Sequence, residues 1–68
     1  MANQKLVRTW QKKIIEICES KLGRALRSYE LGAITSAGGF LALEMIEDTV
    51  REAQPDEIEQ YLISITAT

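Results

Sequence analysis

Sixty-eight residues with a net charge of −2 make one small domain at most, and a core of that size seldom supplies more than about 3–5 kcal/mol. The usual reinforcements are missing: the single cysteine, Cys18, cannot form an intrachain disulfide, and without histidine it cannot build a structural zinc site. At 46% apolar and 26% charged residues the composition is that of an ordered globular chain, with no apolar run long enough for a membrane span or a signal peptide. A soluble cytoplasmic protein that reinforces itself by homodimerisation is the resulting expectation.

From Asn3 to Leu22, Leu6, Trp10, Ile14, Ile17, Cys18 and Leu22 recur at helical spacing, with Val7 and Ile15 beside them. Lys5, Arg8, Lys12, Lys13, Glu16 and Glu19 take the wet side, where Lys12 and Glu16 are placed to pair. Lys21 suits the negative end of the helix dipole, and Gly23 predicts a left-handed stop. After a short connection, Ser28 is expected to cap a second helix carrying Tyr29, Leu31, Ala33 and Ile34, with Glu30 in its first turn. Gly38 and Gly39 break that helix, since each glycine costs about 1 kcal/mol against alanine in a helix. The alternative is a continuous helix whose Gly32, Ser36 and Gly39 form a close-packing seam.

Phe40 to Gln54 predicts a third helix. Its expected core stripe is Leu41, Met45, Ile46, Val50 and Ala53, widened by Phe40 and Leu43. Glu44, Glu47, Asp48, Arg51 and Glu52 face water, and Glu47 and Arg51 have the favourable i,i+4 order. Pro55 opens a fourth helix, with Asp56, Glu57 and Glu59 near its positive end. Ile58, Tyr61, Leu62 and Ile65 form its apolar face, and residues 66–68 are expected to fray. The fold class is therefore all-α, a small bundle of three to four helices in one domain over residues 1–68.

Little chemistry is on offer. With no histidine, the commonest general base and any Ser–His or Cys–His pair are absent. Cys18 falls on the apolar side and reads as a small core residue. The carboxylates of the third helix read as a solvated face and lack calcium-loop spacing, and Gly38-Gly39 lacks the surroundings of a phosphate loop. No cofactor and no metal are expected, and the chain reads as a binding protein, not an enzyme.

Charge is segregated along the chain. Residues 1–31 carry seven basic against three acidic side chains, and residues 32–68 carry one against seven. Such halves can attract each other within the fold, present a basic strip to phosphate, or pair between two copies.

The stretch from Cys18 to Leu31 resembles the opening of the C-terminal domain of DnaD-type replication-initiation proteins. Glu19, Leu22, Gly23, Arg24, Leu26 and Glu30 sit at matching spacing, with Cys18 where that family has an aromatic residue. Tyr61 and Ile65 match the first two positions of its Tyr-x-x-x-Ile-x-x-x-Trp signature, and the third falls beyond Thr68. The resemblance implies that Lys21, Arg24, Arg27, Tyr61 and Ile65 contact nucleic acid or a replisome partner. Arginine would hold phosphate and Tyr61 would stack on a base.

Two functions follow. The first is a helical protein–protein interaction module, an accessory regulator or inhibitor, with Trp10 flanked by Val7 and Ile14 as its partner-binding anchor. The second is a nucleic-acid-binding module using Lys12, Lys13, Lys21, Arg24 and Arg27 with Tyr61 and Ile65. Lys5, Arg8, Lys12 and Lys13 cluster over little more than two turns, but the four do not share one stripe.

Overall fold

A computed structural model describes residues 2–66, with side chains from Gln4 onward. It has four helices in chain order: α1 (Ala2–Leu22), α2 (Ser28–Thr35), α3 (Phe40–Glu52) and α4 (Pro55–Thr66). Among the described residues there is no strand, and no helix is long and apolar enough to cross a membrane. Residues 67 and 68 of the expected frayed tail lie outside the described residues, while Thr66 closes α4.

The breaks fall where backbone chemistry puts them. Gly23 has φ +71°, the left-handed conformation in which a side chain would crowd its own backbone, and its N–H closes on Glu19 O at 2.9 Å. The glycine pair separates α2 from α3, so the continuous-helix alternative is excluded. Nothing lies within 4 Å of where a Cβ would stand on Gly32 or Gly39, so there is no small-residue seam.

Two boundaries differ from expectation. Ser28 is the first helical residue of α2, and the capping position belongs to Arg27. The cap itself is supplied from inside the helix, where the Glu30 carboxylate accepts the Arg27 N–H at 2.7 Å. The same device starts α4, with Glu57 accepting the Gln54 N–H at 2.7 Å. α3 stops at Glu52, two residues short of Gln54, because Ala53 is extended at ψ 151° and the chain must leave αR before Pro55.

The core is built from Ile14 and Cys18 of α1, Leu26 of the connection, Ala33 and Ile34 of α2, Leu43, Ile46 and Val50 of α3, and Ile58 and Leu62 of α4. α1 lies along α3, and α2 lies along α4. The expected α3 stripe is rotated. Leu43, Ile46 and Val50 point inward, while Leu41 and Met45 stand 73% and 59% exposed. The first two turns of α3 are apolar nearly all round, so periodicity does not choose the buried arc; packing against α1 does.

Polar side chains of α1 close the ends of its neighbours. The nearly buried Gln11 donates from Nε2 to Thr35 O (3.1 Å) and Ala37 O (2.7 Å), taking up orphan carbonyls at the end of α2. Lys21 Nζ donates to Arg51 O and, at 3.0 Å, to Ala53 O, capping α3 with a cation at its negative end. Glu19 accepts the Leu26 N–H at 3.0 Å across the corner.

Gly23→Ala is expected to lower stability by about 1 kcal/mol, through backbone conformation alone, since its surroundings are open. Gly32→Ala, in open space inside α2, is expected to raise it by roughly 0.5–1 kcal/mol. Urea melts of the two variants check the opposite signs.

Candidate functional site

The residues behind the DnaD resemblance come together as one corner. Arg24, just past the α1 stop, places Nη1 2.9 Å and Nη2 3.0 Å from the two carboxylate oxygens of Glu30, and Nη2 also reaches Glu59 at 2.8 Å. One guanidinium thus joins α2 to α4 as a fork on two carboxylates. Glu30 has no exposed surface. The Arg24 hydrogen bonds, then the Arg27 N–H, hold its carboxyl below the ordinary range against the opposing effect of burial. Glu30 and Glu59 in turn raise the Arg24 guanidinium above its already high value. Leu26 tucks into the core beneath the corner.

A second carboxylate organises the α1–α3 side. Glu47 accepts the Trp10 Nε1–H at 2.8 Å and takes Arg51 at 2.6 and 3.0 Å, with Lys13 Nζ at 4.0 Å. Trp10 first, and then Arg51, depress its carboxyl from the ordinary value. The Trp10 ring tilts against Phe40 at 5.8 Å between centroids. The expected Glu47–Arg51 pair is present; no ion pair joins Lys12 to Glu16 among the described residues.

The proposed partner anchor is split by the fold. Ile14 is wholly enclosed and presents nothing to a partner, which corrects its assignment to a contact surface. Trp10 is half-buried between Glu47 and Phe40 and lines a shallow hollow with Leu6, Thr9 and Lys13. Val7 lines a different one with Gln4, Arg8, Gln11, Thr35 and Gly38. The residues assigned to nucleic acid are divided too. Lys21 and Arg24 turn their donors inward, as a helix cap and a corner clamp, and are not offered to phosphate as the resemblance implies. Lys12, Lys13 and Arg27 are exposed.

Tyr61 and Ile65 do come together. With Ala33, Ser36 and Ala37 of the α2 end and Ala42, Met45 and Ile46 of α3, they line an open apolar groove of about 290 Å³. Small residues leave its floor low, and the flexible Met45 and half-buried Tyr61 border it. Farther along the α3–α4 seam the lining turns acidic, with Asp48, Glu52 and Glu57 beside Thr49 and Ala53. Sequence reasoning placed Tyr61 and Ile65 in the last helix but missed the groove. Its floor is made of alanines and a serine, which carry no signal of their own.

Chemically the molecule is spare. Among the described residues no cluster of three or more histidine, cysteine or acidic side chains has a metal-holding arrangement. Cys18 is enclosed, and its thiol is pushed up to about 11, first by burial and then by the nearby Glu30 and Glu19 charges. No protein-family model matches the chain, and no curated protein or solved structure is significantly similar to it.

Two measurements check this account. Glu30 has a depressed folded pKa, so its contribution is present above its unfolded value and is lost as pH falls below about 4.5 through the folded value. Glu30→Gln is expected to cost about 2 kcal/mol at neutral pH and to flatten the acid limb of the stability–pH curve, read by chemical denaturation at a series of pH values. Thiol labelling of Cys18 by a disulfide reagent is expected to proceed only through opening of the fold. Its rate should rise steeply with urea and match the exchange rates of the most protected core amides.

Proposed function

We propose that this chain is a non-catalytic helical interaction module, a cytoplasmic homodimer that regulates another protein by seating one of that protein's helices in the groove between α2, α3 and α4. The apolar groove running into an acidic notch carries this reading. An amphipathic helix fits such a surface: its apolar side chains settle over Ala33, Ala37 and Ala42, and lysine or arginine at one end meets Asp48, Glu52 and Glu57. Methionine at the lip lets the groove adapt to different side chains. The homodimer is supported by exposed apolar surface on a chain this small, with Leu41, Met45, Phe40 and Ile63 all outside the core.

The DnaD-like reading agrees with this one on Tyr61 and Ile65 but gives them a protein helix in place of a base. Nucleic-acid binding has less support, because two of its five cations are committed to the fold and the groove's charged end is negative.

A displayed library of amphipathic helical peptides tests the groove. Peptides carrying basic residues at one end are expected to be enriched. Their affinity should fall at least about tenfold in Ala42→Trp, which fills the groove from an exposed position without touching the core. No enrichment, or binding indifferent to Ala42→Trp, overturns the assignment.

A further inference from the structure

The opposite charges of the two halves are only partly neutralised within the fold. Ion pairing between the halves is confined to Arg24 with Glu59 and the long Lys13–Glu47 contact. Lys5, Arg8 and Lys12 are exposed, and so are Glu44, Asp48 and Glu52; none of the six is in an ion pair among the described residues.

Each set is a stripe. Lys5, Arg8 and Lys12 follow at steps of three and four along the outer side of α1. Glu44, Asp48 and Glu52 follow at steps of four along the outer side of α3, with Leu41 and Met45 beside them. α1 and α3 lie side by side, so one flank of the molecule carries a basic helix next to an acidic and partly apolar one. A copy turned over by a two-fold rotation meets that flank with the signs matched twice, α1 on α3 and α3 on α1. Leu41 and Met45 then lie under the aliphatic stems of the facing lysines, while the ammonium groups reach the carboxylates at the edge.

We propose that two copies pair through this flank, the basic stripe of α1 in one copy against the acidic and apolar stripe of α3 in the other. The proposal rests on the homodimer in the reading above and gives it a surface; the groove lies beside this flank. Both halves of the complementarity belong to the same chain, which is why a second copy is favoured over a different protein.

Sedimentation velocity on the intact protein tests it. The wild type is expected to be dimeric at tens of micromolar in about 20 mM salt and to dissociate at least about tenfold more readily near 0.5 M salt, where exposed charges are screened within a few ångströms. Glu44→Lys with Asp48→Lys, and separately Lys5→Glu with Lys12→Glu, should each give a folded monomer by circular dichroism, since all four positions are exposed. An equimolar mixture of the two variants should restore the dimer. A wild-type dimer with both variants still dimeric overturns the surface and leaves the homodimer standing. A monomeric wild type overturns both, including the case where Glu44 and Asp48 instead bind a lysine-rich helical peptide. Peptide binding in the groove is read separately through Ala42→Trp, so its failure is distinct from either result.

Discussion

A carboxylate with no access to water has to be neutralised where it stands, and the arrangement of this protein follows from how Glu30 is neutralised. Its two oxygens take both ends of the Arg24 guanidinium and the backbone N–H of Arg27. That commits the α1–α2 connection to one path, because Arg24 must stand just past the stop at Gly23 to reach inward. It also fixes where α2 begins, since Glu30 serves as its internal cap. The same guanidinium reaches Glu59 and so decides how α4 lies against α2. Burying such a group is costly, and an apolar corner could be equally stable; what the ionic corner adds is a single arrangement of three elements.

Much of this was legible in the residues. The 3.6-residue spacing from Leu6 to Leu22 and the punctuation at Gly23, Gly38-Gly39 and Pro55 locate all four helices within a residue or two. The cap of α2 was misplaced because serine before a helix is the usual signal, whereas here an internal glutamate does the work from the third helical position. The buried side of α3 was misplaced for a different reason. Phe40, Leu41, Ala42, Leu43, Met45 and Ile46 span more than one face, and only the position of α1 says which of them turns inward.

The functional residues divide along the same line. Tyr61 and Ile65 could be found from local spacing, and they do share a groove, but its floor comes from alanines thirty residues earlier. Arg24 and Lys21 look like phosphate ligands when read locally. Their partners, Glu59 and the carbonyls of Arg51 and Ala53, lie far along the chain and are invisible to a local reading. The motif that carries the DnaD resemblance is accounted for almost entirely as architecture: a helix stop at Gly23, a fork at Arg24, a plug at Leu26 and a buried acid at Glu30.

The polar caps offered by α1 have a kinetic meaning. α2 is only eight residues long and α3 thirteen, lengths at which an isolated helix in water barely persists. The carbonyls at their far ends are completed by Gln11 and Lys21, from a helix already passed in the chain. Neither short helix can therefore finish before it docks, and the first helix acts as a template on which the later ones are terminated one by one. Unfolding should run the same way in reverse: once α1 peels off, the ends it closed are released together, and the molecule comes apart as one cooperative unit.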